Sequence, residues 1–243
     1  FASAPDYETK SSYSTTVTAS DGTNSTTQDI TVSINDLNDE SPVFTSSSSF
    51  TIDENSTAVG TITATDADAN TTLAYSLGGA DAASLTLNSA TGVLAFTSAP
   101  DYETKSSYSA TVTASDGTNS TVQDIAISIN NLNDNSPSFT SSSSFTADEN
   151  QTAIGTVTAT DADANTTLAY SLGGTDAASL TLNSATGVLA FTSAPNYETK
   201  SSYSISVTAS DGTNSTTQDI TISINDINDV PTIDPDALNC SHS

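Results

Sequence analysis

Acidic and amide side chains gather in short clusters between the apolar stretches of the chain. Asp66-Ala67-Asp68 is one example. Two carboxylates held about 4 Å apart repel by about 1 kcal/mol in water and about 4 kcal/mol at an effective dielectric constant of 20. The chain has only 3 basic residues, so this crowding requires an external cation. Oxygen ligands without His or Cys favour calcium. The five clusters are Asp53-Glu54-Asn55, Asp66-Ala67-Asp68, Asp101-Tyr102-Glu103, Asp116 and the segment 130–135.

The overall charge excludes several functions. The 243 residues include 29 Asp plus Glu against 3 Lys plus Arg, a net charge of −26. Such a surface repels nucleic acid and anionic lipid headgroups. The single Cys240 and the single His242 exclude a disulfide framework and a Cys/His zinc site in the body of the chain. No apolar run is long enough to insert into a membrane.

An internal repeat of 95 residues organises the chain. The sequence of residues 5–10 returns at 100–105 and, with one change, at 195–200. Residues 42–135 and 137–230 differ at 14 of 94 aligned positions. We therefore divide the chain into a partial repeat with its linker (1–41), two full repeats (42–136 and 137–231) and a tail (232–243).

Alternating apolar and polar residues predict strands within each repeat. The clearest are Gly60–Thr65, Tyr108–Ser115 and Ile125–Ile129, where the Ile residues share one face. No helical periodicity is sustained. About seven short strands in each repeat predict an all-β fold, a β-sandwich. Turns are expected at Gly78-Gly79, Asn88–Gly92 and Asp116–Asn119.

The partial repeat contains only its last two predicted strands, Ser12–Ser20 and Thr26–Asn35. A lone hairpin is marginally stable in water. Either upstream chain completes it, which we favour because Phe1 begins within a repeat, or another molecule completes it by strand complementation. The second case would produce a filament.

These motifs together resemble the cadherin-type repeat. The matching residues are Asp53-Glu54-Asn55, Asp66-Ala67-Asp68, Asp101-Tyr102-Glu103, Asp116 and the linker 36–42. The resemblance implies seven-stranded Greek-key domains arranged end to end, with up to three calcium ions at each junction. It also implies an extracellular location.

The resemblance further implies a ligand set for each junction. The ligands of the first are Asp6, Glu8, Asp36, Asn38, Asp39, Glu40, Asp66, Asp68 and Asp116. Those of the second are Glu54, Asp101, Glu103, Asn131, Asn133, Asp134, Asn135, Asp161, Asp163 and Asp211. Glu149, Glu198, Asp226, Asn228 and Asp229 follow the second full repeat.

The three ligand sets differ from the family pattern at particular positions. The first lacks the early Glu, which would lie upstream of Phe1. In the second, Asn131 replaces an Asp and removes one negative charge. In the third, Asn196 replaces an Asp and no further repeat follows. We therefore expect weaker ion binding at the second set and a partly formed site at the third.

Other functional interpretations are weaker. Asp and Asn also favour turns, but this does not explain five clusters recurring in register. Asp66-Ala67-Asp68 begins like an EF-hand loop, yet Thr71 and Leu77 occupy the positions where that loop needs Gly and Glu. Cys240 and His242 lack the third group of a nucleophilic site. A glycosidase pair would not recur in successive repeats. We predict no enzyme activity.

The predicted function is a calcium-rigidified extracellular adhesion module. Near-identical, Thr-rich repeats favour a bacterial surface adhesin or matrix filament. Further copies of the chain, or components of a cell surface or matrix, are the expected partners. One alternative is the subunit of a self-assembling filament. Another is a carbohydrate-binding module, for which the sequence offers no evident aromatic platform.

Overall fold

The computed structural model describes residues 1–228. The chain divides into two compact units, Phe1–Leu132 and a second unit beginning at Asn133. Strands dominate both units, and the helical structure among the described residues is limited to two 3-10 turns, Ala82–Ser84 and Ala177–Ser179. The predicted all-β class is therefore confirmed. Asp229 and the tail 232–243, with Cys240 and His242, lie outside the described residues.

The first unit contains a hairpin followed by a full repeat. In the hairpin, β1 (Ser12–Ser20) and β2 (Ser25–Ser33) pair antiparallel. The strands of the repeat are β3 (Val43–Phe44), β4 (Ser49–Asp53), β5 (Ala58–Thr61), β6 (Ala64–Thr65), β7 (Ala74–Gly78), β8 (Leu85–Leu87), β9 (Val93–Phe96), β10 (Ser107–Ser115) and β11 (Ser120–Asn130).

These nine segments form the seven strands of a Greek-key sandwich. The four-stranded sheet has the order β4-β11-β10-β7, with β4 parallel to β11, and the three-stranded sheet has the order β5-β9-β8. The first strand is split into β3 and β4, and the second into β5 and β6; β3 pairs with β6. The predicted strands and turns fall in these positions, except that Gly60–Thr65 is not one continuous strand.

A change of pairing partner explains this break in the second strand. The Ile62 amide still donates to the carbonyl of Gly92, at 2.8 Å, on the β9 side. The next carbonyl, of Thr63, instead accepts from the Thr45 amide at 2.8 Å, beyond β3. The alternation of apolar and polar residues along a strand does not indicate which neighbouring strand each residue pairs with.

The second unit repeats this architecture. Its four-stranded sheet has the order β13-β20-β19-β16 and its three-stranded sheet the order β14-β18-β17. The strands are β12 (Ser138–Phe139), β13 (Ser144–Asp148), β14 (Ala153–Thr156), β15 (Ala159–Thr160), β16 (Ala169–Gly173), β17 (Leu180–Leu182), β18 (Val188–Phe191), β19 (Ser202–Ser210) and β20 (Ser215–Asn225).

Each repeat closes around its own apolar core. In the first unit, Ile125 and Ile127 on β11 are buried together with Leu94 on β9 and Ile62. The predicted apolar face of Ile125–Ile129 is therefore correct. The hairpin shows the same alternation without a second layer, since Ile30, the equivalent of Ile125, is 39% exposed.

Two of the chain's cations fix the 3-10 turns to the sheets. Lys105 pairs with Asp81 and lies 4.6 Å from the centroid of the Tyr108 ring. Lys200 makes the equivalent pair with Asp176 in the second unit. The hydrogen bond from Lys105 holds the pKa of Asp81 below its usual value, supported by the Ser109 amide. Neither pair includes an acid of the five clusters.

Gly92→Ala tests the close approach between the turn that precedes β9 and the broken strand. Gly92 has φ +70°, and an added Cβ would lie 2.0 Å from the carbonyl oxygen of Ile62. Gly117→Ala is the matched control, because φ is +98° but nothing lies within 4 Å of its added Cβ. We expect a loss of about 1–2 kcal/mol for Gly117→Ala and at least about 3 kcal/mol for Gly92→Ala, measured by urea unfolding. Equal losses would contradict the packing described for Gly92.

Candidate metal centres

Four aspartates of the first unit are held in the same manner, each with one carboxylate oxygen bound by backbone. Two of these aspartates make a hydrogen bond that joins the linker to the repeat. Asp36 Oδ2 accepts from the Ala69 amide at 2.9 Å, and Asp68 Oδ2 accepts from the Glu40 amide at 3.0 Å. The linker and the loop after β6 therefore exchange one hydrogen bond in each direction.

The other two aspartates close their own loops. Asp66 Oδ1 accepts from the Asp68 amide at 3.0 Å. Asp116 Oδ1 accepts from the amides of Thr118 and Asn119, both at 2.6 Å. These short-range bonds are typical of Asp in a turn, and they fix the direction of the second carboxylate oxygen.

That second oxygen has no hydrogen-bond partner among the described residues. It is buried in all four cases: Asp36 Oδ1, Asp66 Oδ2, Asp68 Oδ1 and Asp116 Oδ2. A buried charged oxygen without a partner is strongly unfavourable unless a cation compensates it. The residues present therefore fit a hard cation that takes oxygen ligands.

The carboxylates around the first linker form two groups that share Asp68. Oxygens of Asp66, Asp68 and Asp116 lie within 4.8 Å of one another, and so do oxygens of Glu8, Asp36 and Asp68. Burial raises the pKa of Asp68, and the neighbouring charges of Asp66, Asp39 and Asp36 add to this. The carboxylates around Asp68 therefore carry an excess of negative charge.

Glu8 is affected by the same crowding. A hydrogen bond with its own backbone favours the ionised form. Loss of hydration and the Asp6 and Asp36 carboxyls oppose it and raise the pKa of Glu8 to about 7. Asp6 closes the turn, accepting from Thr9 Oγ1 at 2.7 Å and from the Glu8 amide at 3.0 Å. These bonds, the Thr9 hydroxyl first, lower the pKa of Asp6.

The far end of the first unit holds a second acidic group around Glu54. Oxygens of Glu54, Asp101 and Glu103 lie within 4.8 Å of one another. Glu54 is 2% exposed, and its two oxygens accept from the amides of Tyr102 and Leu132, both at 2.7 Å. Glu54 thus ties the acidic turn to the end of β11.

Asn131 lies beside this group and partly takes the place of a cation. Its Nδ2 donates to Glu103 Oε1 at 3.1 Å. In the first linker the equivalent residue is Asp36, which has no such donor. The substitution foreseen from the sequence therefore removes a charge and also supplies a neutral hydrogen-bond donor.

The second unit begins with an oxygen-rich group of its own. Asn133 presents its side-chain oxygen only to acceptors; turning the amide round would place its nitrogen 3.2 Å from Asp163 Oδ2 and 2.9 Å from Asp211 Oδ2. Asp161 Oδ2 is buried without a hydrogen-bond partner among the described residues. In that orientation Asn133 donates to both carboxylates, and the unpartnered oxygen of Asp161 is the feature of this group that fits a cation.

Asn135 distinguishes this group from the one around Asp68. It binds both oxygens of Asp163, with its amide 2.9 Å from Oδ2 and its Nδ2 2.8 Å from Oδ1. Its Nδ2 also lies 3.2 Å from Asp134 Oδ1. The equivalent residue in the first linker is Glu40, which cannot donate from its side chain when ionised.

The far end of the second unit repeats the Glu54 arrangement. Glu149 is fully buried, and it accepts from the amides of Tyr197, at 2.9 Å, and Ile227, at 2.7 Å. These bonds lower the pKa of Glu149. Its oxygens lie within 4.8 Å of oxygens of Glu198 and Asp226. Asn228 follows at the end of the described residues.

Asn119 and Asn214 were not among the predicted site residues. Asn119 Nδ2 donates to the carbonyl of Glu40 at 2.8 Å. Asn214 Nδ2 donates to the carbonyl of Asn135 at 2.9 Å. The only sequence signal was that each Asn follows its site aspartate by three residues in both repeats, a spacing also typical of a simple turn.

Comparisons with known proteins agree with the repeat and the fold. A model of the cadherin domain matches residues 48–130 and 143–225. Protocadherin Fat 4 of Mus musculus is 31% identical over 245 residues, covering 94% of this chain and 5% of that protein. Protocadherin-20 of Mus musculus is 35% identical over 245 residues, covering 93% of this chain and 26% of that protein. The chain thus spans a small part of these relatives.

Solved structures give the same result. Mouse cadherin-23 EC22-24 has a TM-score of 0.74 and 26% identity, covering 92% of this chain and 77% of that chain. The protocadherin GammaB4 extracellular domain has a TM-score of 0.75 and 26% identity, covering 93% of this chain and 39% of that chain. The predicted extracellular location is thereby confirmed. These relatives are animal proteins and give no support to the expected bacterial source.

One further observation concerns membranes. Within residues 1–228 no helix has the length and hydrophobicity needed to span a bilayer.

Glu149→Gln and Glu198→Gln separate structural from ionic roles in one acidic group. In chelator, Glu149→Gln should lower the Tm by at least about 4 °C, because one buried backbone N–H then faces an amide nitrogen. Glu198 is exposed, and Glu198→Gln should leave the Tm nearly unchanged.

The contribution of Glu149 should also depend on pH. Because its folded pKa lies below 4.5, this contribution is present above about pH 4.5 and is lost as the pH falls further. The difference in Tm between wild type and Glu149→Gln should therefore shrink on acidification. A difference that stays constant down to pH 3 would contradict the assigned role.

Proposed function

The chain belongs to the cadherin domain family, and we propose that it is a calcium-binding extracellular module whose acidic clusters rigidify the linkers between repeats. The observation that carries this proposal is the set of buried, unpartnered oxygens on Asp36, Asp66, Asp68 and Asp116. Ordinary turn chemistry uses only the other oxygen of each residue. A calcium ion would supply the missing positive charge.

The first linker offers the fullest set of ligands. Asp66, Asp68 and Asp116 would hold one ion, and Glu8 and Asp36 would hold another through the shared Asp68. Asp6, Asn38, Asp39 and Glu40 lie on the same turn and linker. Extracellular modules bind calcium at about 10⁻⁴–10⁻³ M.

The proposed rigidity follows from where these residues lie in the chain. Glu8 belongs to the turn before β1, Asp36 to the linker, and Asp68 and Asp116 to loops of the repeat. Without a counter-charge their carboxylates repel one another and push the three segments apart. With the charge compensated, the same residues hold the hairpin end and the repeat in one arrangement.

The other acidic groups should bind calcium less strongly. Asn131 and Asn196 replace aspartates, so the groups around Glu54 and Glu149 each carry one negative charge fewer than the family pattern. Glu54, Asp101 and Glu103 are the proposed ligands at the end of the first unit. Asn133, Asp134, Asn135, Asp161, Asp163 and Asp211 are those at the start of the second. Glu149, Glu198, Asp226 and Asn228 would form the partial site.

The wider role we propose is cell-surface adhesion or matrix attachment, with these repeats as spacers. The hairpin β1–β2 would be the last two strands of a further repeat. Its Val17, Ile30 and Val32 are 39–48% exposed, whereas Val112, Ile125 and Ile127 at the equivalent positions are buried. This exposed face is also the observation that keeps a filament joined by strand complementation as a second candidate. Polymerisation of the purified chain would distinguish the two.

Asp68→Asn tests the proposed calcium sites directly. Asp124→Asn is the matched control, since it removes the same charge from an exposed position on β11. At 10 mM calcium and a Kd near 10⁻³ M, each site should add about 1.4 kcal/mol of stability. Calorimetric titration should show at least about a tenfold loss of affinity in the first sites for Asp68→Asn.

The two variants should also differ in thermal melting. Calcium should raise the Tm of wild type and Asp124→Asn well above that of Asp68→Asn, and magnesium should act more weakly. A Tm that calcium and chelator leave unchanged in the wild-type chain would reject the proposal. The same response in Asp68→Asn and Asp124→Asn would reject the assigned ligands.

A further inference from the structure

One residue in each linker, two positions before a buried proline, is hydrogen-bonded through both its backbone N–H and its backbone carbonyl. In the first linker, the Glu40 amide donates to Asp68 Oδ2 at 3.0 Å, and the Glu40 carbonyl accepts from Asn119 Nδ2 at 2.8 Å. Two residues later, Pro42 is buried in the repeat. The downstream end of the linker is thus anchored at three points, two on Glu40 and one at Pro42.

The second unit contains the same anchor, built independently. The Asn135 amide donates to Asp163 Oδ2 at 2.9 Å, and the Asn135 carbonyl accepts from Asn214 Nδ2 at 2.9 Å. Pro137 is buried two residues later. Glu40 and Asn135 differ in side chain and charge, so the recurrence depends on backbone contacts.

These anchors do not require an ion. The bond from the Asn amide to a carbonyl is between neutral groups, and carboxylate repulsion does not act on it. The bond from a backbone N–H to an aspartate is charge-assisted and stronger than a neutral one. A buried proline also lowers the conformational freedom of the linker in the unfolded state.

We propose that Asn119 and Asn214 are positioning residues that keep the downstream half of each linker docked on the following repeat in the absence of calcium. Residues 40–42 of the first linker then stay on the repeat when calcium is lost. The division of the chain at Leu132/Asn133 agrees, because it assigns Asn135 to the downstream unit.

Asn24 offers a matched control for this role. It lies 95 residues before Asn119, in the turn between β1 and β2, and its backbone N–H makes the same kind of turn bond, donating to Asp21 Oδ1 at 2.7 Å. Asn119 makes this bond to Asp116 at 2.6 Å. Asn119 alone of the two adds a bond to a linker carbonyl.

Residue-resolved amide exchange in chelator tests the proposal on the full chain. In the wild type, the amides of Glu40 and Asn135 should exchange at least about tenfold more slowly than unprotected amides. Asn119→Ala should speed exchange at Glu40 about fivefold, the effect of one lost neutral hydrogen bond, without changing Asn135. Asn214→Ala should do the reverse, and Asn24→Ala should affect neither.

The Tm separates this role from a general loss of stability. Asn119→Ala should leave the Tm in chelator within about 2 °C of the wild type, while Glu40 exchange rises. Unprotected Glu40 and Asn135 amides in the calcium-free wild type would overturn the proposal. So would unchanged exchange at Glu40 in Asn119→Ala, or an equal rise in Asn24→Ala. Because every readout is taken in chelator, these outcomes do not depend on whether calcium binds.

Discussion

Repulsion between buried carboxylates is the constraint on which the rest of the structure depends. Asp36, Asp66, Asp68 and Asp116 each turn one oxygen into a space where the described residues supply no donor. Burial raises the pKa of Asp68, and Glu8 next to it has a pKa of about 7. A chain with a net charge of −26 cannot compensate this internally. The acidic groups are stable in one arrangement only when the protein holds them there and positive charge is supplied.

The sandwich provides that hold through backbone contacts. One oxygen of each aspartate is fixed by a backbone N–H, so the direction of the other oxygen follows from the loop. Glu54 and Glu149 use both oxygens in this way and join the acidic turn to the end of the last strand. The apolar core keeps the loops in place. Lys105 and Lys200 serve the 3-10 turns instead.

Much of the fold could be predicted from the sequence, because alternation at Ile125–Ile129 directly reports a buried face. The break at Ile62 could not, since it depends on which strand each residue pairs with. The acidic clusters were visible as residue types in repeated positions. The sequence does not indicate which oxygen of each aspartate stays without a hydrogen-bond partner, because that depends on loop geometry. Asn119 was not predicted for a related reason. Its position is typical of a turn residue, and the sequence does not indicate its hydrogen bond to the carbonyl of Glu40, 79 positions away.

Measurement of the distance between two spin labels by pulsed electron paramagnetic resonance tests the central claim most directly. Spin labels at Ser14 on β1 and Ser128 on β11, in a chain carrying Cys240→Ser, report the arrangement of hairpin and repeat within the first unit. The account predicts a narrow distance distribution in calcium that broadens clearly in chelator. A distribution of the same width in both conditions would contradict it.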